Sequence, residues 1–193
     1  MTNQRTHKNL PAEYLSGIGA VTVAWSHLES NLGNVVMNLG AIHAPVSLAI
    51  TIEMGSQPLL NVIQITVNTQ CSNEELLIRW NRLISDIQEI RGERNRVVHG
   101  QWTWGFEYPD KYFVSVHDYS AKGTQITGSS LQRSPESLKE IAARIYEMID
   151  QMQQLVLETI PQLAHQLASA PRVIQVVQVA QDARMRKERG TNK

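Results

Sequence analysis

The chain has 193 residues, of which 42% are hydrophobic and 19% are charged, a size typical of one compact domain with its own core. Its 18 lysines and arginines balance its 18 aspartates and glutamates, which excludes nucleic-acid binding by bulk charge and leaves only a local basic patch for that purpose. The single cysteine excludes an intrachain disulfide and a zinc site with two cysteine ligands. The first ten residues lack the apolar core of a signal peptide, and polar residues interrupt the one long uncharged stretch, so we expect a cytoplasmic protein without a membrane segment.

Apolar residues recur every three or four positions through most of the chain, which predicts amphipathic helices. The first helix is predicted over 11–39, with Gly17 and Gly19 as points of close packing. Helices are also predicted over 46–54 and 58–67, although their Ile, Val and Thr content suits strands as well. The next helix is predicted to start after Ser72 or Asn73, one of which is its N-cap, and to end at 99, with Gly100 at its C′ position.

The hydrophobic period changes to two after residue 100, where Trp102, Trp104 and Phe106 alternate with less bulky or polar residues. Return strands over 112–119 and 124–127 complete a β-hairpin or meander inserted at about 101–128. Seven of the eleven aromatic residues lie in this insertion. They form either a stacking surface for RNA bases, a contact between copies, or the attachment of the hairpin to the helices.

Ser134, Pro135 and Glu136 have the order of an N-cap, a first-turn proline and a first-turn acid, which predicts a helix start. This helix should kink or restart at Pro161, and a last helix should open at Pro171. The basic tail 184–193 either contacts RNA or is a solvated, frayed terminus. We therefore predict that residues 1–193 form a single all-α domain with one β insertion.

An arginine interrupts the apolar stripe of the helix that ends at residue 99. Arg94 falls near the middle of this stripe, whose apolar members are Leu76, Trp80, Leu83, Ile87, Ile90 and Val98. An unpaired guanidinium is costly to desolvate, so Arg94 needs a partner. Glu29, at the edge of the apolar stripe of the first helix, is the candidate. Their ion pair would either fix helix packing or support a functional site.

Arg91, Asn95 and His99 line one edge of the same stripe at spacings of four residues. The macrodipole at the end of the helix favours the protonated form of His99. A titratable imidazole beside an amide and two guanidinium groups is suited to an anion site with acid–base function. The other histidines are scattered without metal-ligand spacing, so neither a metal nor another cofactor is expected.

The segment RNRVVHG, from Arg94 to Gly100, resembles the arginine, polar residue and histidine motif of the HEPN superfamily. The resemblance implies a HEPN-like helical bundle that forms a homodimer, with two motif helices facing one cleft. Similar members are metal-independent endoribonucleases, including toxins of toxin–antitoxin pairs and phage-defence proteins, while others only bind RNA or proteins. It also implies that Arg94 and His99 are the catalytic pair and that Asn95 assists them. Gln101 stands where some toxins of this group have a modified tyrosine.

Arg94 and His99 lie about 140° apart around the helix, an unfavourable arrangement for joint action within one chain. Two copies about a two-fold axis would place two arginines and two histidines in one cleft. The leading hypothesis is a HEPN-type ribonuclease with Glu29 and Arg91 in support, and with RNA, a second copy and an antitoxin or other regulatory protein as partners. The alternatives are a non-catalytic dimeric interaction or RNA-binding module, and a helical regulator that binds a small anion at the arginine row.

Overall fold

The computed structural model describes residues 10–40, 45, 49, 52–107, 111–122 and 125–169. Most of these residues are helical, and the three strands form one antiparallel sheet in the order β1-β2-β3. The helices are α1 (Ala12–Leu39), α2 (Ser56–Gln70), α3 (Glu74–His99) and α4 (Pro135–Ser169), and the strands are β1 (Gln101–Glu107), β2 (Lys111–Lys122) and β3 (Gln125–Gln132). The mainly helical class with an inserted three-stranded meander is therefore confirmed.

The four helices bury their apolar stripes against one another. Paired contacts show that α4 runs parallel to α1 and antiparallel to α3, and that α2 runs antiparallel to α3. The largest fully buried side chains are Trp25, Trp80, Leu28, Leu32, Leu59, Leu60, Ile63, Ile87, Ile90, Leu138, Ile145 and Met152. None of the helices in the described part of the chain combines the length and hydropathy that a membrane span requires.

Side-chain caps fix the starts of α3 and α4. The Asn73 side chain accepts a hydrogen bond from the backbone N–H of Leu76 at 3.1 Å, so Asn73 is the N-cap of α3. The backbone N–H groups of Ser134 and Ser137 donate reciprocally to each other's hydroxyl groups at the start of α4, in the manner of a capping box.

The C-terminal helix continues through Pro161, so the predicted restart at this residue is wrong. Two residues before the proline, the buried Thr159 hydroxyl accepts a hydrogen bond from Trp80 Nε1 at 3.0 Å. This contact anchors α4 to α3 immediately before a residue at which local propensity predicts an interruption of the helix. Most of the predicted helix at 46–54, the helix at 171 and the basic tail lie outside the described residues.

Ion pairs join α3 to α4 along one edge of the bundle. Arg79 donates to both carboxylate oxygens of Glu158, at 2.5 and 3.1 Å. Fourteen residues further along α3, Glu93 accepts from Arg144 at 3.1 Å and from Arg133 at 3.4 Å. Arg79, Arg133 and Arg144 are therefore paired with carboxylates within the fold.

The two glycines of α1 differ in their surroundings. A Cβ at Gly17 would lie 2.8 Å from both Cβ and Cδ1 of Leu138, so α1 and α4 approach closely at this point. A Cβ at Gly19 would meet no atom within 4 Å. The prediction of close packing is confirmed for Gly17 and is wrong for Gly19, which faces outward.

We expect Gly17→Ala to lower the free energy of unfolding by about 1–3 kcal/mol, because the new methyl group would overlap the base of the Leu138 side chain. Gly19→Ala is the matched control in the same helix and should raise it by about 0.5–1 kcal/mol through helix propensity. Urea unfolding of both variants measures the difference. An equal effect of the two substitutions would contradict the close approach at Gly17.

Acid should weaken the Arg79–Glu158 pair. The hydrogen bonds from Arg79 hold the pKa of Glu158 below its ordinary range. Since the folded pKa is the lower one, the stabilisation is present above the unfolded pKa and is lost as the pH falls through the folded value. We expect Glu158→Gln to reduce stability at pH 7 and to have a diminishing effect below about pH 4. Denaturant unfolding at pH 7, 4 and 2.5 measures this trend, and a pH-independent difference would contradict it.

Candidate functional site

The end of α3 is held against the sheet by a residue without a side chain. Gly100 leaves the helix in an extended conformation, with φ −68° and ψ 154°, and its N–H donates to the Arg96 carbonyl at 2.9 Å. A Cβ at Gly100 would overlap the Arg96 carbonyl oxygen and the Val116 side chain on β2. The helix ends at His99, as predicted, but Gly100 does not have the conformation of a C′ glycine. The glycine is required at this position because β2 approaches it closely.

Trp102 attaches the β insertion to the same helix end. Its Nε1 donates to the carbonyl of Val97 at 2.8 Å, which satisfies one of the last acceptors of α3. Its ring packs edge to face on Tyr14, with 6.4 Å between centroids. For Trp102, the structural interpretation of the aromatic hairpin is confirmed, and the hairpin fixes the direction in which α3 ends.

Arg94 faces inward as the helical wheel predicts, but its partner differs. Its guanidinium carbon lies 5.6 Å from the centroid of the Trp25 ring on α1, and Nη1 donates to Asn95 Oδ1 at 3.0 Å. Nε is buried and has no hydrogen-bond partner among the described residues. The half-buried Glu29, one turn after Trp25, forms no ion pair with any described residue. The predicted Arg94–Glu29 pair is wrong because the guanidinium contacts the aromatic face instead.

Arg94 and His99 of one chain come together, contrary to the expectation from their angular separation. Arg94 Nη1 lies 3.2 Å from His99 Nε2. The long arginine side chain spans the angle, and His99 is the last residue of the helix, so no further turn covers its ring. An arginine only donates hydrogen bonds, so Nε2 must accept. A hydrogen bond in this contact therefore requires the tautomer that carries its proton on Nδ1.

Arg91 contacts the neighbouring helix α2. Its Nη1 donates to Oε1 of Gln57, which lies in the first turn of α2. The amide of Gln57 is itself oriented, because its Nε2 donates to Asn61 Oδ1 at 2.9 Å. The predicted row of Arg91, Asn95 and His99 is therefore present on α3, with Arg91 supported from α2.

The charges at this site are not balanced within the described part of the chain. Arg91 contacts only an amide, and Arg94 contacts an amide, the His99 imidazole and an indole ring. Neither makes an ion pair with a described carboxylate, in contrast to Arg79, Arg133 and Arg144. Two half-buried positive charges without an internal counter-charge favour an external anion.

Sequence reasoning missed Trp25 and Gln57, the two side chains that hold the arginines. Trp25 belongs to the apolar stripe of α1, and nothing in that pattern distinguishes it from a core residue. Gln57 is one polar residue in a short segment between helices and gives no signal at all. Among the described residues, no three His, Cys, Asp or Glu side chains converge as ligands for a metal ion.

Comparison of the chain with protein-family models, with curated proteins and with solved structures found no match.

The Arg94–His99 contact predicts one tautomer of His99. Nitrogen-15 NMR of the imidazole, at a pH where the ring is neutral, should report an unprotonated Nε2 and a protonated Nδ1. Arg94→Ala removes the donor and should return His99 to a mixture of tautomers, while Arg82→Ala, an exposed arginine of the same helix, should not. A protonated Nε2 in the unmodified protein would contradict the contact.

Proposed function

We propose that the chain is a metal-independent endoribonuclease of HEPN type, with Arg94, Asn95 and His99 at its active site. The single observation that carries this proposal is the 3.2 Å contact between the half-buried guanidinium of Arg94, which has no ion-pair partner among the described residues, and the imidazole of His99 at an exposed helix end. The contact combines a phosphate-binding cation with a proton acceptor. RNA is the phosphate ester that needs both, because it carries its own nucleophile beside the phosphate.

The proposed reaction uses the 2′-hydroxyl of the substrate. Neutral His99 accepts the proton of this hydroxyl through Nε2, and O2′ attacks the adjacent phosphorus. The bond from phosphorus to O5′ breaks, which leaves a 2′,3′-cyclic phosphate and an alkoxide that takes up a proton to become a 5′-hydroxyl. Arg94 stabilises the negative charge that develops on the phosphate oxygens. Asn95 keeps the Arg94 guanidinium in position through its side-chain oxygen.

In the proposed resting state, Arg94 Nη1 donates to the lone pair of His99 Nε2, the two atoms being 3.2 Å apart. A phosphate oxygen is a stronger acceptor for a guanidinium than a neutral imidazole, because both partners are then charged. A bound phosphate would therefore draw Nη1 away from His99 and release Nε2 for the 2′-hydroxyl. This exchange makes the base available only when a phosphate is present.

A second copy has a chemical role in this proposal. One imidazole accepts the first proton, while a second group must donate to the leaving oxygen. His99 of a second chain, brought to the same cleft by a two-fold axis, would supply that donor in its protonated imidazolium form, while the first imidazole keeps the proton taken from the 2′-hydroxyl. The homodimer is thus proposed for the second proton transfer, since one chain already brings Arg94 to His99. A toxin or phage-defence role, and an antitoxin or other regulatory partner, follow from the HEPN resemblance and stay predictions.

Cleavage of a mixed RNA pool in EDTA is the direct test. We expect the unmodified protein to leave 2′,3′-cyclic phosphate ends. His99→Ala should lose at least about 100-fold in rate through loss of the acid–base group, and Arg94→Ala a similar factor through loss of charge stabilisation. Arg82→Ala, an exposed arginine of α3, is the charge-matched control and should cut normally.

Thermal unfolding and light scattering accompany the cleavage assay. If the unmodified protein and the folded variants all bind RNA and none of them cuts it, the nuclease hypothesis fails and a non-catalytic RNA-binding module takes its place. Activity that persists in folded His99→Ala would contradict the assigned base. Activity from a monomer at all protein concentrations would contradict the role of the second copy.

A further inference from the structure

Arg91 is a second cation beside the proposed cleavage site, and its surroundings keep its charge available. It precedes Arg94 by three residues on α3, a spacing that puts the two Cβ atoms about 5–6 Å apart. Its described partner is the side-chain oxygen of Gln57, which holds the guanidinium without neutralising it. The second hydrogen bond of Gln57, from Nε2 to Asn61, leaves only its oxygen to face Arg91.

The two guanidinium groups are held by different helices. Trp25 on α1 lies under Arg94, and Gln57 on α2 holds Arg91. Arg94 Nη1 also donates to Asn95 Oδ1 and contacts His99 Nε2. A single small anion that contacts one guanidinium leaves the other without a counter-charge, whereas successive phosphates of one strand provide one anion for each.

We propose that Arg91, held by Gln57, binds the phosphate adjacent to the one that is cleaved. The substrate is then an RNA strand with at least two consecutive phosphates, and neither a single nucleotide nor a small free anion satisfies the site. The inference rests on the proposed nuclease function. Gln57 acts as a positioning residue for Arg91, and the neutral state of its amide is what leaves the positive charge for the substrate.

Neutralising single phosphates tests the assignment. Short RNAs with one uncharged methylphosphonate next to the cleaved linkage, on either side in turn, are compared with the natural RNA. At one of the two positions the unmodified protein should lose about tenfold in kcat/KM, the effect of one charge-assisted hydrogen bond. Arg91→Ala should lose a similar factor on natural RNA and nothing more on that modified RNA. If Arg91→Ala lowered kcat/KM by the same factor on the natural RNA and on both modified RNAs, the effects of the substitution and of the lost charge would be independent, and the proposal would be overturned.

Gln57→Glu separates a role in binding from a role in packing. The substitution preserves the shape and the acceptor for Arg91 but supplies a carboxylate that neutralises it. We expect this variant to remain folded, with an unchanged or higher Tm, and to lose the same tenfold on natural RNA as Arg91→Ala. If Gln57→Glu changed neither the cleavage rate nor the effect of the methylphosphonate linkages, Arg91 and Gln57 would have a structural role alone.

Binding of an uncleavable 2′-O-methyl RNA distinguishes this proposal from the nuclease itself. The slope of log K against log salt should become shallower by about 0.7 in Arg91→Ala, as expected for one phosphate contact on a single strand. Arg82→Ala again controls for net charge and should keep the slope. If no RNA is cut but the slope still depends on Arg91, the nuclease function fails and the second phosphate contact stands. If RNA is cut and the slope is unchanged, the second contact fails alone.

Discussion

Arg94 brings a full positive charge to the boundary between α1 and α3, where water is partly excluded, and the end of α3 is organised around it. The Trp25 face and the Asn95 oxygen stabilise the guanidinium without cancelling its charge. The third contact, with His99, uses a group whose hydrogen-bonding capacity depends on its protonation state. Because burial of a charge is tolerated only when it is well solvated by the protein, these three contacts constrain both the helix end and its chemistry.

The two edges of α3 use arginine differently. On the side that faces α4, ion pairs connect the two helices. Arg79 of α3 pairs with Glu158 of α4, and Arg144 of α4 pairs with Glu89 and Glu93 of α3. Toward α1 and α2, the arginines meet only neutral groups. Charges that are paired inside the fold are not available to a ligand, whereas those of Arg91 and Arg94 have no described carboxylate partner. A chain with zero net charge can therefore still carry a locally positive surface.

The geometry changes how the HEPN resemblance is interpreted mechanistically. The angular separation of Arg94 and His99 suggested that a second copy was needed to bring them together, yet one chain places them in contact. In the proposed mechanism, the second copy instead supplies the second proton-transfer group. In that mechanism the substrate phosphate also has a function beyond binding, because it would take Arg94 from His99 before the imidazole acts as a base.

Much of the helical framework could be predicted from local patterns. The period of the apolar residues predicted α1, α2 and α3, and the order of Ser134, Pro135 and Glu136 predicted the start of α4. The change to a period of two located the β insertion. These features were accessible because amphipathic periodicity and capping depend on residues close in sequence. The continuation of α4 through Pro161 could not be predicted in this way, because contacts with residues distant in sequence, such as that of Thr159 with Trp80, contribute to it.

The sequence by itself determined that Arg94 enters the apolar stripe of α3 and that Arg91, Asn95 and His99 line the edge of this stripe at spacings of four residues. Only the tertiary structure decided what surrounds these groups. Trp25 rather than Glu29 lies beneath Arg94, and Gln57 from another helix holds Arg91. The physical reason is that a periodic pattern specifies which face of a helix turns inward, whereas the axial register between helices specifies which side chain of the neighbour is met. A shift of one turn along α1 separates an aromatic partner from an acidic one, and with it a site that keeps its charge from one that loses it.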